Sequence, residues 1–178
     1  MPTRSEFRRA IAALLAIGAS ALAATAFAAS PLAAQDTGLP MGTTGPAAAV
    51  ETLDGAAAHL SSVVGGGKPT LIEFWATWCP NCRQLEPALD AAQRRYGDQV
   101  RFVAVAVSVN QSSDRVKRYV TEHLRGFTHF YDRRGQAVTN YDVPATSYVV
   151  ILDQDGKVVY GGVGGDQDIA RALAAVVR

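Results

Sequence analysis

Thr70-Leu71-Ile72-Glu73-Phe74-Trp75-Ala76-Thr77-Trp78-Cys79-Pro80-Asn81-Cys82 is the stretch on which the reading of this chain turns. Leu71 to Trp75 is apolar on both faces except at Glu73, the pattern of a strand in the middle of a sheet covered from both sides. The run ends at two cysteines spaced C-x-x-C, and a helical pattern begins there. Leu85, Leu89, Ala92 and Tyr96 recur on one face, with Arg83, Gln84, Asp90, Gln93 and Arg94 on the other. Gly97 is placed to end that helix. Pro87 lies inside it and is expected to bend it, because proline removes a backbone hydrogen bond. The chain holds 2 cysteines in all, so the pair is either redox-active or half of a metal site.

Outward from this core the elements follow in a recognisable grammar. Val100 to Val107 reads as a second buried strand, and Ser112 or Ser113 can cap a helix whose stripe is Val116, Tyr119, Val120, His123 and Leu124. Strand, helix, strand and helix in succession imply parallel pairing through right-handed crossovers. Ser147–Leu152, the turn Asp153-Gln154-Asp155-Gly156 and Lys157–Tyr160 then read as a hairpin, which makes the sheet mixed. A last helix starts near Asp166 and turns Ile169, Leu173 and Val176 inward. Upstream, Val50–Leu53 alternates as a short strand before Asp54-Gly55, and His59–Val64 is a helical turn or irregular. Gly65-Gly66-Gly67-Lys68 precedes a strand instead of following one, so it is a loop and not a phosphate cradle. Gly161-Gly162-Val163-Gly164-Gly165 lacks the third glycine of a dinucleotide fingerprint, where Gln167 stands.

The 178 residues suffice for one ordinary domain with extra terminal material, and 48% apolar against 19% charged residues suits a packed core. A net charge of +1 with no basic run speaks against a nucleic-acid partner. Arg4, Arg8 and Arg9 precede an uncharged run from Ala10 to Ala34, and Ala26-Phe27-Ala28 has the small-x-small pattern read by signal peptidase. Residues 1–28 are therefore expected to be a signal peptide cleaved after Ala28. An uncleaved anchor is the rival, because about 20 uncharged residues can span a bilayer. The paired arginines lack a following Phe-Leu, which weakens a twin-arginine reading, and no cysteine stands near for lipidation. Residues 29–49, made of little but Pro, Gly, Thr and Ala, are expected to be a flexible spacer, and residues 50–178 the domain. Either terminal reading exports the body, where disulfides persist, so a periplasmic location is expected.

In this order of elements, with C-x-x-C at a strand-to-helix junction, the domain resembles the thioredoxin superfamily, and within it the exported TlpA/ResA-type thiol–disulfide proteins. The resemblance covers about Val50 to Arg178. It rests on Phe74-Trp75-Ala76-Thr77-Trp78-Cys79-x-x-Cys82-Arg83, Pro87, Tyr141-x-Val143 and Asp153-x-Asp155-Gly156. It implies a thioredoxin-like α/β fold, a mixed central sheet with helices on both faces. It also implies a disulfide oxidoreductase needing no cofactor or metal beyond the Cys79–Cys82 pair.

The physics of that site runs alongside. Cys79 should lie at the positive end of the helix, where thiolate is favoured over thiol. It then attacks a partner disulfide, and Cys82, one turn on and more buried, resolves the mixed disulfide. Pro80 and Asn81 set the N–H groups facing the sulfurs. Glu73, alone in an apolar strand and six residues before Cys79, sits where the family keeps a buried acid that exchanges a proton with Cys82. The alternative is a Glu73 that points to an edge and pairs with Lys68. Trp78 is either packing or a substrate platform. Glu86 is a second acid near the site, but the family's equivalent falls at Leu85, so no role is carried over to it. The family's cis-proline loop, counted from the flanking motifs, falls on Ser147 preceded by Thr146, which together would edge the substrate groove. A trans Thr146–Ser147 bond is expected there, with a cis Val143–Pro144 bond as the alternative register. In the family this proline also keeps metals off the cysteines, so its replacement favours metal binding.

Three functions remain open on these grounds. The first, which the resemblance implies, is a reductant of protein disulfides that keeps the thiols of clients such as apocytochromes c or copper-site assembly factors reduced, with a membrane electron donor or acceptor and a monomeric state. The second is an oxidase or isomerase. The third is a Cu(I) chaperone using both thiolates, for which His59, His123, His129 and Met41 are the sparse further ligands.

Overall fold

The computed structural model describes residues 38–177; the expected signal segment and most of the spacer lie outside them. Seven strands form one sheet in the order β2-β1-β5-β4-β3-β6-β7. They are β1 (Ala49–Thr52), β2 (Ala57–His59), β3 (Thr70–Trp75), β4 (Arg101–Val107), β5 (Thr128–Asp132), β6 (Tyr148–Leu152) and β7 (Val158–Val163). The helices are α1 (Pro80–Tyr96), α2 (Ser113–Tyr119), α3 (Gln136–Asn140) and α4 (Ile169–Ala174), with a 3-10 turn at Leu60–Ser62.

All six residues of β3 are buried. The strand pairs in parallel with β4 on one side and antiparallel with β6 on the other, which makes the sheet mixed. Side chains alternate along a strand, so β3 feeds two cores. Leu71 and Trp75 join Leu85, Leu89, Ala92 and Tyr96 of α1, Val116 of α2 and Ile169 and Leu173 of α4. Ile72 and Phe74 join Leu60, Ala137 of α3, Tyr141 and Tyr148 on the other face. The crossovers β3-α1-β4 and β4-α2-β5 step in the same direction across the sheet. Right-handedness then puts both helices on one face. Helices accordingly cover both faces, as the resemblance implies.

Several local expectations change. β5 was not anticipated, because Thr128-His129-Phe130-Tyr131-Asp132 carries a histidine and an aspartate, of which the aspartate is disfavoured in strands. Asp132 is fully buried, and its Oδ2 accepts the Val138 N–H at 2.9 Å. β2 and α3 are too short, and too poor in apolar residues, to carry a period. Ser112 is the α2 cap, accepting from Arg115 N at 3.3 Å, but the helix ends at Tyr119, so His123 and Leu124 lie beyond it.

The spacer expectation fails over its last part. The Gly42 N–H donates to Val158 O, the Gly45 N–H to Gly156 O, and the Val158 N–H to Thr43 O. Ala48 is buried. Backbone groups, not apolar side chains, hold this segment along the β6–β7 hairpin, which is why composition hides it. Gly45 is required by closeness: a Cβ there would lie 2.3 Å from Leu152 Cδ2.

Candidate active site

Cys79 is the N-cap of α1, with extended backbone (φ −79°, ψ 117°), and Pro80 opens the helix. That arrangement suits a proline, because the N–H that proline lacks would be unpaired at the first helical position in any case. The Cys79 Sγ accepts the Cys82 N–H at 3.1 Å, so the sulfur does the work of a capping side chain. The two cysteines form a disulfide with 5.3 Å between Cα atoms. Both are buried, Cys79 at 2% and Cys82 at 5% exposure, so the expected contrast between an open nucleophile and a deeper partner is not present in this oxidised form. Trp78, Pro80 and Asn81 stand exposed around them.

The turn that delivers Cys79 is tied down on several sides. The Cys79 N–H donates to Ala76 O at 3.1 Å, the Thr77 N–H to Gln111 Oε1 at 2.9 Å, and Arg83 Nη1 to Thr77 O at 3.3 Å. Trp78 is tied to the loop after β4, its Nε1 donating to Val109 O at 2.8 Å. Trp78 is 38% exposed, so this large apolar residue next to Cys79 is partly open to solvent.

Glu73 lies on the β3 face that carries Leu71 and Trp75, the face whose core includes both cysteines. It is 1% exposed, and neither carboxylate oxygen has a hydrogen-bond partner. Pairing with Lys68 does not occur: that ammonium donates to Gly97 O at 3.2 Å. Burial, and secondarily the Glu86 charge, pushes the Glu73 pKa up to about 8. The acid is therefore neutral through most of the physiological range. It also sits close to the ordinary thiol value of about 8.5, where proton exchange with a cysteine is nearly balanced.

Glu86 was singled out in the sequence without a role, and the fold gives it two partners. Tyr119 donates to its Oε2 at 3.2 Å, and His123 Nδ1 lies 2.6 Å from its Oε1. Tyr119 stacks on His123 at 3.9 Å and packs on Trp75 at 5.3 Å between ring centroids. With Arg83, Asp90 and Arg94 these groups line a cleft of about 380 Å³. His123 is thus brought to the site's flank, whereas His59 lies on β2, at the other end of the sheet from β7. His129 is held below the usual imidazole range by burial.

Ser147 sits at the C-terminal end of β3, the end that leads to Cys79. Its N–H donates to Phe74 O at 2.9 Å. All peptide bonds among the described residues are trans, Val143–Pro144 included, so the alternative register does not occur. Ser147 has φ +66° and is fully buried. Its Oγ accepts the Gly164 N–H at 3.1 Å and its carbonyl accepts Gln167 Nε2 at 2.9 Å. Every polar atom is satisfied inside the fold, so any groove edge here is presented by half-buried Thr146 and exposed Pro144 and Ala145. Gln111 is the site residue that sequence reasoning missed. A lone glutamine in a polar loop carries no signal until the fold sets it against Thr77.

Residues 40–176 match the Redoxin family model. The thioredoxin-like protein YneN of Bacillus subtilis is 31% identical over 125 residues, which span 70% of this chain and 72% of that protein. The thiol-disulfide oxidoreductase ResA of Bacillus thuringiensis subsp. konkukian is 26% identical over 93 residues, 52% of this chain and 53% of that one. Among solved structures, a secreted disulfide oxidoreductase of Mycobacterium tuberculosis, homologous to E. coli DsbE, superposes with TM-score 0.60 at 26% identity over 71% of this chain and 94% of that one. A C-x-x-C disulfide capping a helix above a buried carboxyl, in a sheet of this order, agrees with those likenesses. The chain belongs to the Redoxin family and is a thioredoxin-like thiol–disulfide oxidoreductase.

Proposed function

We propose that the protein is an exported reductant of protein disulfides, passing two electrons from Cys79 and Cys82 to its clients. The Cys79 thiolate attacks one sulfur of the client disulfide, which forms a mixed disulfide and releases the client's other sulfur as thiolate. Cys82 gives its proton to Glu73 in the fraction of molecules where that acid is ionised, a fraction that grows toward its pKa of about 8, and attacks Cys79 Sγ. The S–S bond of the mixed disulfide breaks, the second client thiolate leaves, and the Cys79–Cys82 disulfide remains. The reverse sequence, driven by a dithiol donor at the membrane, recharges the pair, and Glu73 then returns the proton to Cys82 as that sulfur leaves.

The observation that carries the direction is what faces the sulfur. Among the described residues one hydrogen bond reaches Cys79 Sγ, from Cys82 N–H, and the ionisable side chain buried on the β3 face of the cysteines' core is the Glu73 carboxyl, not a cation. Strong oxidants owe their potential to a heavily stabilised thiolate, and this site supplies only the helix end and one N–H. Clients of the apocytochrome c or copper-assembly kind follow from the TlpA/ResA resemblance. Equilibration of the pair with glutathione or dithiothreitol buffers tests the direction. A reduction potential below about −220 mV is expected, and a value above about −150 mV, toward the DsbA end of the scale, would replace the reductant with an oxidase.

A further inference from the structure

Glu73 is 1% exposed and its carboxyl has no hydrogen-bond partner, yet the reaction needs its proton to move. Burial, with the Glu86 charge, keeps the acid mostly protonated at neutrality. An acid that already holds a proton cannot take another from Cys82. The first proton has to leave before resolution, and every residue of β3 is buried, so it needs a polar way out.

The fold places one chain of polar groups beside it. Trp75, on the same face of β3, packs on Tyr119 at 5.3 Å between ring centroids. Tyr119 donates to Glu86 Oε2 at 3.2 Å, and Glu86 Oε1 lies 2.6 Å from His123 Nδ1. Exposure rises along the series, from 1% at Glu73 to 16% and 38% for the Glu86 and His123 side chains. The Glu86 charge reaches Glu73, and the Tyr119 phenol, pushed up to about 12 mainly by burial, feels both carboxylates. That phenol keeps its own proton, so it fixes Glu86 in place and leaves the second oxygen to His123. The other charges around the cleft are Arg83, Asp90 and Arg94 of α1 and, beyond α2, Arg125, whose field reaches Asp90. Arg83 is engaged with Thr77 O. A neutral imidazole has one nitrogen that accepts and one that donates, which lets His123 take a proton on the Glu86 side and release one on the other.

We propose that this cleft is the proton port of the active site: the Glu73 proton passes to the Glu86 carboxylate, then to His123 Nδ1, and leaves to solvent from Nε2, returning by the reverse route. Glu73 ends as carboxylate, Glu86 is an acid only in passing, and His123 gains one proton and loses another; no electron moves. Neither Glu86 nor His123 touches a sulfur, so both are positioning residues that act through Glu73. The inference rests on the oxidoreductase reading and on Glu73 as its acid.

The test mixes the pre-reduced full chain with dithiodipyridine in a stopped-flow cell. The first pyridinethione released reports attack by Cys79, and the second reports attack by Cys82 with transfer of its proton to Glu73. Charge and relay predict opposite signs for Glu86→Gln. If Glu86 acted only as a charge, its removal would ease ionisation of Glu73 and quicken the second phase. As a port residue, Glu86→Gln should slow that phase about tenfold at pH 7 and keep the first within about twofold. His123→Ala should slow the second phase about fivefold, and free imidazole, a small base that can enter the cleft, should restore it to within about twofold of wild type in the same buffer. Asp90→Asn, which removes another negative charge from the cleft but neither Glu86 bond, should leave both phases within about twofold. A second phase unchanged or quickened in Glu86→Gln, or one that imidazole does not restore in His123→Ala, overturns the port while leaving the oxidoreductase intact. A wild type that releases no pyridinethione overturns the oxidoreductase reading and the port together.

Discussion

Glu73→Gln in the oxidised protein isolates the energetic consequence of burying an acid beneath the disulfide. The native carboxyl is pushed up to about 8 from an ordinary 4.5, mainly by burial. Folding therefore binds a proton more tightly than the unfolded chain does. Below about pH 4.5 the acid is protonated in both states, and its burial carries no ionisation penalty. Between there and pH 8 the unfolded chain ionises while the native acid does not, so stability is lost as pH rises, at about 1.4 kcal/mol per unit. The loss is on the order of 3 kcal/mol at pH 7, and it levels off above the native pKa, where the folded state ionises as well. Glutamine fills nearly the same volume and does not titrate. Urea denaturation of the wild type and the variant from pH 4 to pH 8.5 should show two curves that start together and diverge. The variant should become the more stable by about 3 kcal/mol at neutrality. Parallel curves across that range would refute the claim that Glu73 is buried and neutral.

Ser147→Pro should destabilise the protein by about 3 kcal/mol or more, read by thermal melting, because the site needs φ +66° and a free N–H for Phe74 O. Recovery of wild-type stability in that variant would show that this loop rearranges freely. Glu86→Gln removes the negative charge that helps hold the Glu73 proton, so the Glu73 titration midpoint, followed by carboxyl infrared absorption, should move down from about 8. A midpoint that stays or rises would mean that Glu86 and Glu73 do not sense each other.

Much of this was legible from one stretch. Leu71–Trp75 is apolar on both faces because β3 is central, and that same fact made the lone Glu73 conspicuous before any coordinates. The helix after Cys79 showed itself because α1 is long enough to carry several turns of a period. Where backbone groups or isolated polar side chains do the holding, the sequence was silent. Residues 42–45 lie along the hairpin through carbonyls and N–H groups of glycine and threonine. β5 hides because its buried Asp132 holds the Val138 N–H of α3 instead of filling a core. Gln111 and His123 acquire their partners, Thr77 and Glu86, only when distant segments meet. Counting from the flanking motifs singles out Ser147, but its inward-facing hydroxyl depends on Gly164, which no spacing rule identifies.

The central claim is a mixed disulfide made at Cys79 and resolved by Cys82. Cys82→Ala, expressed as the full chain in an exporting host, should accumulate disulfide-linked complexes that run at higher mass on non-reducing gels and collapse on reduction, while Cys79→Ala should form none. Equal trapping by both variants, or none by Cys82→Ala under conditions in which a known reductase traps its clients, would contradict the account.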